Sequence, residues 1–135
     1  MFIWEQFRVK HMDNNLDPWY ITGFVDGEGC FTFSRSGAHI SLYFAIKLND
    51  KDKPLLEKIQ QYFGGVGKIY NVKPQLPSRY SGHTKSQSYY RVTKLYELKS
   101  ILSHFEKYPL NGRKYYFYQV WRDMLSIKLK ERRIR

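Results

Sequence analysis

The most constraining feature of the sequence is a short segment, residues 21–29 (ITGFVDGEG), in which two glycines lie four residues apart. The pair Asp17-Pro18 just before it is typical of a helix start, with Asp as the cap and Pro in the first turn. We therefore predict a helix from Pro18 to about Gly27. A glycine inside a helix costs about 1 kcal/mol, so two of them on one stripe need a structural reason.

The spacing of the glycines indicates a helix face that another backbone approaches closely. Positions i, i+3, i+4 and i+7 share one side of a helix, and here they are Tyr20, Gly23, Phe24 and Gly27. We expect this face to contact a second helix. The alternative, in which the glycines let the helix pack tightly on its own sheet, stays open at the level of sequence.

Two acidic residues, Asp26 and Glu28, stand at the end of this helix. If two such helices pack closely, a carboxylate held there meets the matching carboxylate of the partner. Two like charges so close together are unfavourable unless a cation lies between them. Because the ligands would all be oxygen atoms, the segment indicates Mg²⁺.

The charge of the chain favours a polyanionic partner. The 135 residues carry 23 Lys plus Arg and 12 Asp plus Glu, a formal net charge of +11. Nucleic acid is the first candidate, and an anionic membrane surface is the weaker one. The hydrophobic share of 42% suffices for the core of one domain, and a single cysteine excludes an internal disulfide framework.

The domain organisation is predicted to be simple. We divide the chain into an N-terminal lead-in (residues 1–16), one domain (17–125) and a basic C-terminal tail (126–135). Neither a secretory signal nor an apolar run long enough to span a membrane is visible, so we expect an intracellular protein with no membrane partner. The stretch from Arg113 to Arg135 adds eight Lys or Arg and two acids, which suits contact with phosphates or simply a solvated helix face.

The fold class follows from a strict alternation in residues 39–48, whose even positions are apolar and whose odd positions are mostly polar. This period of two predicts a strand with one buried and one wet face. Further strands are predicted at 31–34, 66–72 and 88–93, and helices at 51–63, 95–105 and 113–130. The order predicts an α+β fold with one mixed or antiparallel sheet of four strands that helices cover on one face.

The wet face of this sheet carries hydroxyl, aromatic and basic side chains and no acids. By parity it comprises Thr32, Ser34, His39, Ser41, Tyr43, Lys47, Lys68, Tyr70, Tyr89, Arg91 and Thr93. A β-surface of this kind can enter the major groove and present side chains to base edges. The turns, the loop and the start of the last helix add the candidates Ser36, Lys73, Arg79, Lys85 and Arg113. A polar solvent face with no ligand is the alternative.

Four segments together resemble the LAGLIDADG family of homing endonucleases. Residues 21–29 resemble the motif that names the family, and residues 51–59, 62–69 and 108–114 resemble its second helix, its third strand and its Pro-Leu-x-x-x-Lys segment. The resemblance covers residues 17–125 and implies an α-β-β-α-β-β-α core whose four-stranded antiparallel sheet forms a saddle along DNA, with the helices on its other face. It also implies an intron-encoded enzyme that cuts a long, nearly two-fold-symmetric site.

A chain with one motif is expected, by this resemblance, to act as a homodimer whose motif helices cross at Gly23 and Gly27. Glu28 matches the acidic metal ligand, and the carbonyl of Gly27 is a further ligand. Two or more divalent ions per dimer, Mg²⁺ or Mn²⁺, would lie between Glu28, the scissile phosphate and the attacking water. We interpret Asp26 as a structural cap near the helix end.

The remaining catalytic groups are less completely determined by the resemblance. Lys114 matches a basic residue near the cut phosphate, and Arg113 is its rival. Many relatives have Gln at the end of the second strand, where this chain has Leu48-Asn49. Leu48 points into the core by parity, which leaves Asn49 or Lys47 to position water.

Two other functions compete with the endonuclease. A non-catalytic binder on the same fold, either a transcription regulator or a maturase that grips its own intron RNA, is favoured by the missing Gln and disfavoured by an intact Glu28 and Lys114. A basic RNA-binding protein of another family leaves residues 21–29 unexplained. The endonuclease is expected in the cytoplasm or nucleoid of a prokaryote or in an organelle matrix.

Overall fold

The computed structural model describes residues 15–74 and 85–134. The lead-in residues 1–14 and the loop candidate Arg79 lie outside these ranges. In chain order the elements are α1 (Pro18–Glu28), β1 (Gly29–Ser36), β2 (His39–Asn49), a 3₁₀ turn (Asp50–Asp52), α2 (Lys53–Tyr62), β3 (Lys68–Val72), β4 (Gln87–Val92), α3 (Leu95–Lys107) and α4 (Lys114–Ile134). The predicted α+β order of elements is confirmed.

Helix α1 begins and ends as its sequence predicts. The Asp17 side chain accepts a hydrogen bond of 2.8 Å from the backbone N–H of Trp19, and Pro18 occupies the first turn. At the other end the N–H of Gly29 closes the last turn on the carbonyl of Val25. A Cβ at Gly29 would lie 2.5 Å from Cγ1 of Val25, so only glycine lets the chain pass here from helix to strand.

The four strands form one antiparallel sheet with the order β1-β2-β4-β3. The two-residue turn between β1 and β2 places Gly37 at φ 62°, a backbone conformation that glycine tolerates best. The hairpin register pairs Gly29 with Ile46 and Ser36 with His39. The carboxyl end of α1 therefore lies beside the far end of β2.

The helices cover one face of the sheet and bury its apolar side chains, as predicted. Phe31 lies at the centre of an aromatic cluster, with its ring centroid 5.0–5.3 Å from those of Phe44, Phe105, Tyr118 and Trp121. Aromatic pairs at such distances contribute about 0.5–1.5 kcal/mol each beyond the burial of their area. These contacts join β1 and β2 to α3 and α4.

The structure differs from the sequence-based expectations at Phe33, at the start of the second helix and at the end of the last helix. Phe33, predicted to face inward with Phe31, remains 50% exposed although it shares the core-facing parity of β1. The predicted second helix begins as the 3₁₀ turn, because the Asn49 side chain caps it by accepting the N–H of Lys51 at 3.0 Å. Helix α4, predicted to end at residue 130, continues to Ile134 and so takes in most of the predicted basic tail.

Candidate active site and nucleic-acid interface

The two glycines on the face of α1 defined by Tyr20, Gly23, Phe24 and Gly27 are not packed against the rest of the described chain, whereas Phe24 is partly buried against the core. A Cβ at Gly23 or Gly27 would meet no heavy atom within 4 Å among the described residues. Tyr20 is 45% exposed and stacks on Phe24 with ring centroids 6.1 Å apart. Close packing of α1 on its own sheet therefore does not explain these glycines, and the face is open to a second helix.

Glu28 is the last residue of α1, and it is exposed. Because β1 begins at the next residue, its position is set by both elements. The described residues contain no group of three or more His, Cys, Asp or Glu side chains that could hold a metal ion. One chain thus offers the Glu28 carboxylate and nearby backbone carbonyls, a hard oxygen donor set that suits Mg²⁺ but fills few of its six positions.

Lys114 is directed at this same end of α1. Its Nζ donates a hydrogen bond of 2.9 Å to the carbonyl oxygen of Val25, and the residue is half-buried. A cation is favoured at the carboxyl end of a helix because the helix dipole is negative there. Arg113 is exposed. The geometry therefore favours Lys114 over Arg113 as the basic residue beside Glu28.

Asp26 binds a distant part of the backbone. Its Oδ2 accepts the N–H of Asn111 at 2.9 Å, and its two oxygens accept the N–H of Gly112 at 3.2 and 3.3 Å. Sequence reasoning expected Asp26 to cap the region of its own helix end. The contact instead reaches the segment before α4, which no local pattern in residues 21–29 reveals.

The buried face of α1 carries a hydrogen-bonded cluster that sequence reasoning missed. Thr22 donates its hydroxyl proton to the carbonyl of Tyr108 at 2.8 Å and contacts Nε2 of His104 at 2.9 Å. Since that proton is already used, Nε2 must be the donor, and Nδ1 accepts from the Tyr62 hydroxyl at 2.9 Å. The histidine is neutral and links α1, α2 and α3.

This histidine makes the stability of the fold dependent on pH. Burial lowers the pKa of His104 from 6.5 to about 4. Because the folded-state value is below the unfolded one, its contribution is complete above pH 6.5 and is lost as the pH falls towards 4, up to about 3 kcal/mol in total. We expect the wild-type free energy of unfolding to fall between about pH 7 and 4.5 by about 2 kcal/mol more than that of His104→Asn, measured by urea unfolding. Parallel pH curves for the two proteins would contradict the assignment.

The sheet face away from the helices has the predicted composition. Cross-strand pairs place Thr32 beside Tyr43, and Lys47 beside Tyr89, which in turn pairs with Tyr70. The predicted side chains are exposed or half-buried on this face, and they include Ser34, Ser36, His39, Ser41, Lys68 and, next to the strand ends, Thr93, Lys73 and Lys85. The parity prediction is confirmed for the geometry, while contact with DNA stays a prediction.

Arg91 on this face is packed over a neighbouring aromatic ring. Its guanidinium carbon lies 4.0 Å from the ring centroid of Tyr43, a close cation–π contact. Its Nε is buried and has no hydrogen-bond partner among the described residues. Ala45, which pairs directly with Arg91, is only 4% exposed although its parity is that of the wet face, since a methyl group is shorter than these neighbours.

Asn49 and Lys47, the two candidates for positioning water near the end of β2, have different surroundings. The Asn49 side-chain oxygen is already used by the N–H of Lys51. Lys47 is exposed, with its Nζ 5.2 Å from the Tyr89 ring centroid. Gly29, the first residue of β1, pairs with Ile46 of the antiparallel strand β2. The next residue of β2, Lys47, therefore lies level with the end of α1. The role of Asn49 in positioning water stays a prediction.

Comparison with known proteins agrees with this arrangement. The family model described as LAGLIDADG endonuclease matches residues 21–125. The chain belongs to this family. The match begins within α1 and ends within α4, so it takes in all four strands, Glu28 and Lys114.

The similar proteins are longer than this chain. An uncharacterised 50.9 kDa protein in ND4 intron 1 of Podospora anserina is 37% identical over 131 residues, which are 90% of this chain and 26% of that protein. Probable intron-encoded endonuclease 2 of Neurospora crassa is 33% identical over 87% of this chain and 25% of its own length. The chain therefore spans about a quarter of these relatives.

A solved structure shows the same fold. The LAGLIDADG meganuclease I-AabMI bound to uncleaved DNA superposes with a TM-score of 0.74 and 30% identity, over 89% of this chain and 39% of that one. The four-stranded antiparallel sheet with helices on one face is thus the architecture of the family. None of the helices in the described ranges combines the length and apolar character that a membrane crossing needs.

Proposed function

We propose that this chain is a site-specific double-strand DNA endonuclease that hydrolyses phosphodiester bonds with divalent metal ions as a homodimer. The observation that carries the proposal is that an exposed carboxylate and a lysine ammonium group both lie at the last turn of α1. Glu28 is exposed there, and the Lys114 ammonium lies 2.9 Å from the Val25 carbonyl. The motif helix that brings them together has an open glycine face.

Pairing through this face would complete the site. One chain supplies one carboxylate, and cutting both strands of a duplex requires two reaction centres. A second copy packed on Tyr20, Gly23, Phe24 and Gly27 would bring a second Glu28 to the same axis, because each of the two helices ends there. The two net charges of +11 would then act on one DNA molecule.

Glu28 and the carbonyl of Gly27 are the groups that would hold Mg²⁺ or Mn²⁺, with two or more ions per dimer. When bound, such ions stabilise charge on the oxygens of a phosphodiester under attack. The Lys114 ammonium, held rigidly and partly out of water, would stabilise negative charge that develops at the same phosphate. The exposed Glu28 is free to face the substrate, since no described side chain pairs with it.

The sheet face would bind the duplex. Tyr43, Lys47, Tyr89 and Arg91 form its centre, and the two cation–π contacts orient both cations. Oriented guanidinium groups commonly read guanine in the major groove. Around this centre, further hydroxyl and basic side chains lie along the strands and next to their ends. They suit phosphate and base contacts over a long site.

The names of the relatives support an intron-encoded origin, and we propose that the protein acts in an organelle matrix.

A non-catalytic binder of DNA or of its own intron RNA is the second candidate. It is supported by Leu48-Asn49, because the Asn49 side-chain oxygen already caps the 3₁₀ turn, which leaves Lys47 as the remaining candidate for positioning water. Cleavage separates the two functions.

The test is selection from a library of randomised duplexes with the full chain and Mg²⁺. We expect enrichment of a nearly palindromic site, cut on both strands, and a complex whose mass contains two 16.3 kDa chains. Replacement of Mg²⁺ by EDTA should stop cutting and leave binding. Selection of bound but uncut DNA at every metal concentration would favour the non-catalytic binder. A complex with one chain per duplex would contradict the homodimer.

A further inference from the structure

The segment between α3 and α4, residues 108–113, is held against α1 at both of its ends. At the first end the Thr22 hydroxyl donates to the carbonyl of Tyr108 at 2.8 Å. Just beyond the second end Lys114 Nζ donates to the carbonyl of Val25 at 2.9 Å. These bonds join parts of the chain that are 86 and 89 residues apart in sequence.

Asp26 holds the middle of this segment. Both of its oxygens are occupied, by the N–H of Asn111 at 2.9 Å and by that of Gly112 at 3.2 and 3.3 Å. Hydrogen bonds to an ionised carboxylate are stronger than neutral ones. The approach is close, since a Cβ at Gly112 would lie 3.1 Å from Oδ1 of Asp26.

Gly112 is also the point from which α4 starts. Its carbonyl accepts the N–H of Tyr115 at 3.0 Å in the first turn of α4, and Lys114 is the first residue of that helix. The position of Gly112 therefore sets the position of Lys114. The end of α1 does not need Asp26 as its own cap, because Gly29 already closes the last turn.

We propose that Asp26 is a positioning residue for Lys114: by binding the N–H groups of Asn111 and Gly112, it holds the Lys114 ammonium at the end of α1 that carries Glu28. This inference rests on the proposed function for its catalytic consequence. Asp26 itself touches neither metal nor DNA in this account. Helix α1 thus carries Glu28 and, through Asp26, also fixes the position of the Lys114 ammonium.

The test is a double-mutant cycle on single-turnover cleavage at saturating DNA, with Asp26→Asn, Lys114→Met and the double variant. The asparagine amide keeps one acceptor and places an NH₂ group against the second N–H. We expect Asp26→Asn to slow cleavage by about ten- to hundred-fold with DNA affinity unchanged, since small misplacements have costs of this size. In the Lys114→Met background the same change should cost less than about two-fold, because residues that act through one another are not additive.

Two further variants separate positioning from general damage. Gly112→Ala disturbs the same contact from the other side, and we expect it to behave like Asp26→Asn. Asp17→Asn removes the same charge from the other end of α1, where it caps the N–H of Trp19, and asparagine is an equally good cap. It should cleave as the wild type does. Rate losses that multiply in the double variant, or a wild-type rate for Asp26→Asn, would overturn the proposal.

A second measurement does not depend on cleavage. In ¹⁵N NMR of the lysine ammonium groups, the Lys114 signal is identified by its loss in Lys114→Met. We expect it to shift in Asp26→Asn and in Gly112→Ala and to stay in place in Asp17→Asn. An unchanged Lys114 signal in Asp26→Asn would overturn the positioning role even if the wild type cuts DNA. If the wild type cuts no DNA, a shifted signal supports the positioning geometry while the proposed endonuclease fails.

Discussion

Glu28→Gln is expected to abolish DNA cleavage and to preserve DNA binding. The substitution keeps the size of the side chain at the exposed end of α1 and removes one negative charge per chain. A neutral amide is a poor ligand for Mg²⁺ compared with a carboxylate. Because the metal contributes several kcal/mol to stabilising charge at the reacting phosphate, the cleavage rate should fall by at least about 10³-fold.

The measurement is single-turnover cleavage of the selected site, together with the dissociation constant for the same duplex. Affinity should be unchanged or higher, since an acid next to the phosphate backbone is removed. Glu57→Gln is the matched control, as Glu57 is also exposed and lies on α2. It removes the same charge and should leave the cleavage rate unchanged. Cleavage by Glu28→Gln within about ten-fold of the wild-type rate would contradict the role of Glu28 as a metal ligand.

Gly23→Leu is expected to make the monomer more stable and to weaken the dimer. Because a Cβ at Gly23 meets nothing within 4 Å among the described residues, the fold should accept the side chain. Leucine is a better helix former than glycine, so the monomer should become more stable by up to about 1 kcal/mol. The same side chain on a face that a second α1 must approach closely would block pairing, with a loss in dimer affinity of at least about 100-fold.

Sedimentation equilibrium and urea unfolding measure the two effects on one protein. Ser103→Leu is the control, since Ser103 is exposed on α3 and receives the same apolar side chain away from α1. It should pair and cut as the wild type does. Double-strand cleavage by Gly23→Leu at the wild-type rate would exclude the glycine face as the interface, whereas a destabilised monomer would show that the face is packed within one chain.

The strands of the sheet illustrate what local pattern can predict. Alternation in residues 39–48 placed Leu42, Phe44 and Ile46 inside and the DNA-facing candidates outside, because a strand has a period of two and one buried face. Phe33 lies on the core-facing side that the same reasoning predicts, since it pairs with the buried Leu42, but it remains half-exposed. The alternation along a strand determines on which side of the sheet a side chain lies. Whether that side chain is buried depends on whether a helix covers it.

The site shows where local pattern stops. The sequence presents Asp26 and Glu28 as two similar acids, and only the tertiary structure separates them. Asp26 accepts hydrogen bonds from two backbone N–H groups, whereas Glu28 is exposed and has no such partner in the part of the chain that the structure describes. His104 gave no sequence signal at all, because its partners Thr22 and Tyr62 lie 82 and 42 residues away.

The sequence by itself determined the family, the order of the elements and the face of α1 that carries glycine, because helix and strand periods and caps are written in neighbouring residues. Only the tertiary structure distinguishes the surroundings of Lys114 from those of Arg113, since a difference of one residue at the start of α4 directs one side chain to the Val25 carbonyl and leaves the other exposed. It also showed that nothing in residues 15–74 and 85–134 packs against Gly23 and Gly27. Both answers depend on contacts between segments far apart in the chain, which no local period records.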